Sequence, residues 1–214
     1  MKQYQIDCLI ESKVSRTKEK GMLLGVGHFD VSFPRTIRID GKQHNHSVYS
    51  VWRDMLRRCY KPNTEKWKRN YAGCTVCDEW LYFSHFLAFY KMNYRENYVL
   101  DKDLLILENK VYSPEHCVFI PHALNNFTVD RAYARGECPQ GVCWDKRHGK
   151  FKASIRVNSK LKHLGLYDTA HAAHIAWHNK KRELAMQWQP ACDEIHSGLY
   201  KGLMVKIESM REAS

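Results

Sequence analysis

The sequence of 214 residues predicts an α+β protein with small sheets, and three observations support this. Residues 98–127 read as strand, long connection, strand and helix, because two short apolar runs rich in β-forming residues precede a proline and a helical segment. Residues 150–157 alternate between basic or polar and apolar side chains, which is the period of a half-buried strand. Residues 48–59 place apolar side chains at helical spacing instead.

The charge balance points to a polyanionic partner. The chain carries 34 Lys and Arg against 23 Asp and Glu, a formal charge of 34 − 23 = +11 and a pI near 9.3. Nucleic acid is the usual partner of such a chain. A membrane surface is less expected, because no long basic amphipathic helix stands out.

The same composition gives expectations about compartment. Residues 1–20 lack the apolar core of a signal peptide, and no apolar run approaches the roughly 18 residues of a membrane span. We therefore expect a cytoplasmic protein, of a bacterium or of an infected bacterium. The eight scattered cysteines are expected to be reduced thiols there.

The first part of the chain is expected to be an arm followed by a hairpin. Residues 1–27 hold a charge run and three glycines, which predicts a solvated tail or, alternatively, an arm along a phosphate backbone. Residues 28–46 alternate weakly, with turn signals at Pro34 and Asp40-Gly41, and predict a β-hairpin.

An amphipathic helix follows, with Ser47 as its expected N-cap and Pro62 as its stop. Its apolar stripe is expected in the core: Val48, Val51, Trp52, Met55, Leu56 and Cys59. Arg53 and Arg57 fall outside that stripe, where they either contact phosphates or are solvated.

A loop rich in Lys and Arg at residues 63–73 leads to the CxxC pair Cys74 and Cys77. A structural zinc site needs four ligands and no second CxxC follows, so zinc is not expected. Asp78 is the expected N-cap of a buried helix that runs through Trp80, Phe83, Phe86, Leu87 and Tyr90.

The strand–strand–helix stretch carries the chemistry. Its first strand ends at Asp101-Lys102-Asp103, and Pro121 opens the helix. His122 shares a face of that helix with Asn125 and Asn126, which lie three and four residues later. A carboxylate with amide or imidazole groups suits a hard divalent cation such as Mg²⁺, which can polarise a phosphodiester. The alternative is a solvated turn beside a histidine that caps or packs.

The blocks WRDMLRRCY, GCTVCDEWLYFSHF, LDKDLL and VYSPEHCVFIP, in this order, resemble the HNH (ββα-metal) nucleases of phages and mobile elements. The resemblance implies Mg²⁺ or another divalent ion held by Asp101 and by Asn125 or Asn126. The family has its general-base His where this chain has Lys102, and its middle Asn falls near His116. Lys102, His122 or His116 would then be the base, although a lysine needs a pKa well below its ordinary value of ~10.4.

The C-terminal part predicts a three-stranded antiparallel sheet with one packed helix. Phe151, Ala153, Ile155 and Val157 share the apolar side of the central strand. The helix is expected from Ala170 to Met186 behind the cap Thr169, with Ala173, Ala176, Trp177 and Leu184 as its packing face. A last helix, residues 193–210, with the apolar markers Ile195, Leu199, Leu203, Val205 and Ile207, is expected to pack on it or to mediate a homodimer.

The residues GVCWDKRHGKFKASIRV and HLGLYDTAHAAHIAWH look like the AP-two domain of plant ethylene-response factors, which lays its sheet in the DNA major groove. The family usually has Trp where His148 and His163 stand. Together with the charge pattern, this predicts contacts with double-stranded DNA from Arg147, His148, Lys150, Lys152, Ser154, Arg156, Lys162, His163, Arg53 and Arg57. A merely solvated basic sheet is the alternative.

These expectations divide the chain into an arm and hairpin (1–46), an HNH-like domain (47–130), a linker (131–139), an AP-two-like domain (140–187) and a C-terminal helix (188–214). The first hypothesis is a homing-type DNA endonuclease. The second is a DNA-binding protein whose nuclease fold has lost catalysis and acts in regulation or in phage–host conflict. RNA binding ranks last, because Phe151 points to the core rather than to the basic face.

Overall fold

The computed structural model describes residues 1–15, 22–129 and 137–211. Within these ranges the helices are α1 (Gln3–Glu11), α2 (Ser47–Tyr60), α3 (Glu65–Asn70), α4 (Phe83–Asn93), α5 (His122–Thr128), α6 (Ala170–Met186), α7 (Gln189–Ile195) and α8 (Leu199–Ser209). The strands are β1 (Thr36–Ile39), β2 (Lys42–Asn45), β3 (Thr75–Val76), β4 (Tyr98–Asp101), β5 (Val111–Tyr112), β6 (Val118–Pro121), β7 (Val142–Asp145), β8 (Lys150–Val157) and β9 (Lys160–Tyr167). The predicted α+β class with small sheets is confirmed.

The chain divides into two compact units. The first unit comprises Met1–Glu96 and Asn109–Cys117, and the second comprises Asn97–Glu108 and Val118–Ser214. Most of the predicted charge run at residues 13–20 and of the predicted linker at 131–139 lies outside the described residues. No helix in the described ranges is long and apolar enough to cross a bilayer.

The first unit opens with helix α1, so the prediction of a loose arm was wrong for these residues. Ile6 and Ile10, four residues apart on one face, are both buried. Asp7 accepts the N–H of Ser47 at 2.9 Å and thereby caps the start of α2. The predicted hairpin is confirmed: β1 and β2 pair antiparallel around Asp40-Gly41, both of which have positive φ.

Helix α2 buries most of the predicted stripe, namely Val48, Trp52, Met55 and Leu56, and also Tyr49. Ser47 is its first residue and not its cap, since His46 holds that position. The segment at 63–73, predicted as a loop, contains helix α3, and Thr64 caps it by accepting the N–H of Trp67 at 3.1 Å.

The helix predicted from Asp78 consists of two elements, a 3₁₀ turn at Asp78–Leu81 and helix α4. All five of its predicted apolar residues are buried: Trp80, Phe83, Phe86, Leu87 and Tyr90. The long connection between β4 and β6, for which no strand was predicted, contains β5, which pairs in parallel with β3.

The second unit contains the predicted strand–strand–helix motif. Strands β4 and β6 pair antiparallel, with Tyr98 opposite Pro121 and Asp101 opposite Val118. Helix α5 packs on both strands, and the His122 N–H donates to the carbonyl of Asn97 at 3.1 Å. Pro121 was predicted to be the first residue of the helix, but it is the N-cap, one position earlier.

Strands β7, β8 and β9 form the predicted antiparallel sheet in that order, and α6 packs against it. Helix α6 has the predicted bounds, and Thr169 caps it by accepting the N–H of Ala172 at 3.1 Å. Ala153 and Ile155 are buried beneath the sheet. A bulge shifts the register of β9 immediately after Ala153.

The prediction of a single last helix was wrong, because the segment forms α7 and α8 with a break at 196–198. Leu199, Leu203 and Ile207 are buried as predicted, whereas Val205 is 45% exposed. A Cβ on Gly202 would lie 1.6 Å from the carbonyl oxygen of Leu104. Helix α8 therefore packs its backbone directly on the segment that follows β4.

Candidate nucleic-acid interface and metal site

Asp101 ends β4 and folds the following residues into a tight turn. Its Oδ1 accepts the N–H of Asp103 at 2.9 Å and the N–H of Leu104 at 2.7 Å. Burial raises the pKa of this carboxyl above its ordinary value, and the two N–H bonds only partly oppose that shift. Both hydrogen bonds end on Oδ1, which leaves Oδ2 as the oxygen that could bind a cation.

Lys102 is buried and its ammonium lies 2.5 Å from Oδ1 of Asp103. A lysine that acts as a base must be neutral. A carboxylate at hydrogen-bond distance favours the charged ammonium instead. The immediate surroundings of Lys102 thus favour a structural ion pair over the predicted base.

His122 and Asn126 occupy one face of α5, as their spacing predicts. The Asn126 Nδ2 atom lies 3.0 Å from His122 Nδ1, and both residues are exposed. A ring whose Nδ1 is engaged by a carboxamide has its tautomer set by that contact. Asn125 lies one residue earlier and is partly buried. The helix thus presents an oriented imidazole and two carboxamides.

His116 belongs to the first unit, whereas Asp101, Lys102 and α5 belong to the second. Its Nδ1 is buried without a hydrogen-bond partner among the described residues.

The described residues do not include a group of three or more His, Cys, Asp or Glu side chains placed to hold a metal ion. With the ligands that the resemblance implies, a site at Asp101 would consist of one carboxylate with carboxamide oxygens. This donor set fits a hard cation that retains several waters, such as Mg²⁺. It does not fit zinc, which prefers thiolate and imidazole.

Cys74 and Cys77 of the CxxC pair are a buried and a partly buried thiol. Cys74 is buried, and burial raises the pKa of the Cys77 thiol, which disfavours the thiolate that zinc binds. None of the eight cysteines, all of which lie in the described ranges, forms a disulfide.

The three-stranded sheet presents a polar face that its register defines. Residues directly opposite each other on antiparallel strands share a face. Lys152 lies opposite Cys143, Ser154 opposite His163, and Arg156 opposite Leu161. Residues 152, 154, 156 and 163 therefore line one face, which we call the basic face, while Ala153 and Ile155 point to the core.

The turn between β7 and β8 holds the next two predicted DNA contacts, Arg147 and His148, both exposed. Asp145 Oδ1 accepts the N–H of Arg147 at 3.0 Å and the N–H of His148 at 3.3 Å. The hydrogen bond from the His148 side chain, with Nδ1 at 3.2 Å from Oδ2, lowers the pKa of the Asp145 carboxyl. The turn is thus fixed in shape.

Two of the lysines that were predicted to contact DNA, Lys150 and Lys162, differ from Lys152 in their partners or in their face of the sheet. Lys150 forms an ion pair with Asp168 at 3.0 Å, although both side chains are exposed. Lys162 lies opposite Ile155, so the register assigns it to the face opposite Lys152 and Arg156. It is nevertheless exposed, because it lies near the end of the sheet.

The two predicted arginines of α2 differ from their neighbour Arg58. Arg53 pairs with Asp54 at 3.0 Å, and Arg57 is partly exposed. The guanidinium of Arg58 instead lies over the rings of Trp67 and Tyr71, at 5.8 and 5.6 Å from their centroids. Arg53 and Arg57 belong to the first unit, whereas the basic face belongs to the second.

Sequence reasoning missed three buried polar residues on α6: His174, His178 and Lys181. Each reaches a carbonyl oxygen at the C-terminal end of another helix: Met210 for His174 and Ile207 for His178, both at 3.0 Å, and Phe127 for Lys181. The last carbonyls of a helix lack the N–H of a following turn, although that of Ile207 also accepts the N–H of Met210 at 3.1 Å. Burial lowers the Lys181 pKa to about 8. The available signal was their i, i+4, i+7 spacing on the face that also carries Ala173 and Trp177.

No protein-family model matches the chain, and neither a curated protein nor a solved structure matches it significantly.

Proposed function

We propose that this protein binds double-stranded DNA through the basic face and cuts it as a metal-dependent endonuclease of the HNH type. One observation carries the proposal: a strand–strand–helix motif whose first strand ends in Asp101 and a sheet with a basic face belong to the same compact unit. Of the sequence blocks that resemble HNH nucleases, LDKDLL and the end of VYSPEHCVFIP lie in this motif. The residues that resemble AP-two domains form the sheet and α6.

The binding step relies on charge that the fold leaves in solvent. Arg147 and Arg156 are exposed, and Lys152 shares its face with Arg156. Cations on one face of a sheet can neutralise DNA phosphates. The DNA then releases its condensed counterions, and this release favours binding. Ser154 and His163, opposite each other on that face, could contact base edges.

The cutting step needs a cation beside a phosphodiester. Asp101 would hold it through Oδ2, together with the carboxamide of Asn125 or Asn126. A bound Mg²⁺ would polarise the phosphoryl group and stabilise the leaving oxygen. The raised pKa of Asp101 fits this role, because burial outweighs the opposing effects of two backbone N–H groups and of the Lys102 charge, so that a bound cation would further stabilise the carboxylate.

Proton transfer is best assigned to His122. Lys102 is held by Asp103, while His122 is exposed on α5 and its ring is oriented by Asn126. An imidazole is the side chain that most often takes a proton from water as a general base.

The experiment is a nicking assay on supercoiled DNA with Mg²⁺, comparing the natural protein with Asp101→Asn. Asparagine keeps the acceptor for both backbone N–H groups but removes the charge. We expect nicking to be at least ~100-fold slower in the variant, since several kcal/mol of charge stabilisation is lost. Equal nicking by both proteins would refute the assignment of Asp101.

A second candidate function is DNA binding without catalysis, and the ion pair of the buried Lys102 with Asp103 favours it. A lysine locked in an ion pair replaces the base of the family. Tight DNA binding with no metal-dependent cleavage of any DNA substrate would establish this alternative and refute the first.

A further inference from the structure

The first unit carries a concentration of positive charge that the proposed function does not use. From Arg57 to Asn70 the chain holds six basic residues, Arg57, Arg58, Lys61, Lys66, Lys68 and Arg69, against one acid, Glu65. Four of the six, Lys61, Lys66, Lys68 and Arg69, are exposed. We call these four residues the α3 patch.

The helix that carries most of the α3 patch is held in place by a cap and by contacts with α2. Thr64 caps α3, and the Arg58 guanidinium lies over Trp67 and Tyr71, so aromatic and cationic groups fasten the short helix to the end of α2. Trp67 is the partly buried residue of α3, and the other five are exposed. At 100° per residue, Lys66, Lys68 and Arg69 project away from Trp67.

The local acid does little to offset this charge. Lys68 and Glu65 form an ion pair at 2.7 Å, but their side chains are 57% and 87% exposed. Exposed pairs of this kind contribute about 0–1 kcal/mol and are easily exchanged for another anion.

We infer that the α3 patch is a second binding surface for the phosphate backbone of DNA. This inference rests on the proposed DNA binding and adds a site in the first unit to the basic face of the second. The expected contacts are with phosphates, because three of the four residues are lysines, whose ammonium group acts as a point charge.

The test measures the affinity for duplex DNA by fluorescence anisotropy between 50 and 200 mM salt. The variant is Lys66→Gln with Arg69→Gln. The matched control is Arg38→Gln with Lys42→Gln, which removes two exposed cations from the β1–β2 hairpin of the same unit. Circular dichroism melting checks that all proteins are folded.

Loss of two phosphate contacts should lower the slope of log K against log salt by about 1.8, so the variant loses ~12-fold less affinity than the natural protein across this range. The control should keep the natural slope. An unchanged slope in the α3 variant, or an equal change in the control, overturns the inference and leaves the proposed function intact. Failure of the natural protein to bind DNA overturns both.

Discussion

Two aspartates of the second unit make the same local structure in opposite surroundings. Asp101 and Asp145 each end a strand, and each accepts two backbone N–H groups from the residues two and three positions later through Oδ1. Yet the Asp101 pKa is raised and the Asp145 pKa is lowered. Burial dominates at the first, and the hydrogen bond from His148 dominates at the second.

The difference shows which of the two carboxylates is destabilised in its charged form by the fold. A carboxylate that accepts a hydrogen bond from a neighbouring histidine stabilises the fold in its charged form, whereas burial disfavours the charged form of the same group. A buried carboxylate of this kind is therefore a candidate for a functional group or a cation ligand. The comparison therefore separates a structural turn in the sheet from a candidate site in the β4–β6–α5 motif.

The largest expected effect is that of Gly202→Ala, which adds a methyl group where α8 packs on the turn that follows Asp101. The added methyl would meet the carbonyl of Leu104, whose N–H binds Asp101. Backbone must move to relieve this overlap, so we expect a loss of about 2–4 kcal/mol in the free energy of unfolding. Chemical denaturation measures it. A loss of free energy of unfolding below ~0.5 kcal/mol would show that α8 does not pack tightly on this turn.

The next effect tests the exposed side of the comparison. Lys152→Gln with Arg156→Gln should weaken duplex DNA binding by about 10–100-fold near 0.1 M salt, since two phosphate contacts are lost. Lys160→Gln with Lys162→Gln is the matched control, because these lysines lie opposite Val157 and Ile155 on the other face. Equal weakening by both pairs would mean that general charge, and not the basic face, drives binding.

A smaller change is expected in the stability of Asp101→Asn measured in EDTA. A raised folded pKa means that the contribution of Asp101 to stability is full below its unfolded pKa of ~3.9 and is lost as the pH rises through the folded value. The variant should therefore be more stable at pH 7, by about 0.5–2 kcal/mol. That gain should shrink toward pH 4.5 in thermal melts, and a destabilised variant at pH 7 would contradict it.

The smallest expected effect is that of Asp145→Asn, with the opposite sign. A lowered pKa gives stability that is present above the unfolded value of ~3.9 and is lost as the pH falls through the folded value. The variant should melt slightly below the natural protein at pH 6 and approach it in more acidic solution. A melting temperature above that of the natural protein at pH 6 would count against the His148 contact.

The sequence predicted the elements whose pattern is local. The strands β4 and β6, the bounds of α6 and the core side of β8 follow from short apolar runs, a cap and strict alternation. Helix α1 was missed because only Ile6 and Ile10 mark its buried face. Strand β5 was missed because its parallel partner β3 lies 36 residues earlier in register, at Thr75 opposite Val111.

The candidate site was predictable in part for the same reason. The positions of Asp101, His122 and Asn126 follow from strand and helix periods. The pairing of Lys102 with Asp103, and the burial of His174, His178 and Lys181, depend on distant carbonyls and on packing, which no local pattern contains. Buried polar residues need partners from elsewhere in the fold, and those partners appear only in three dimensions.

The most direct test of the account is Mn²⁺ binding, measured by electron paramagnetic resonance on the natural protein, Asp101→Asn and Asp145→Asn. The two variants remove the same charge from the same kind of turn. We expect the natural protein and Asp145→Asn to bind Mn²⁺ equally, and Asp101→Asn to bind it at least ~10-fold more weakly. Equal affinity in all three proteins would contradict a cation site at Asp101.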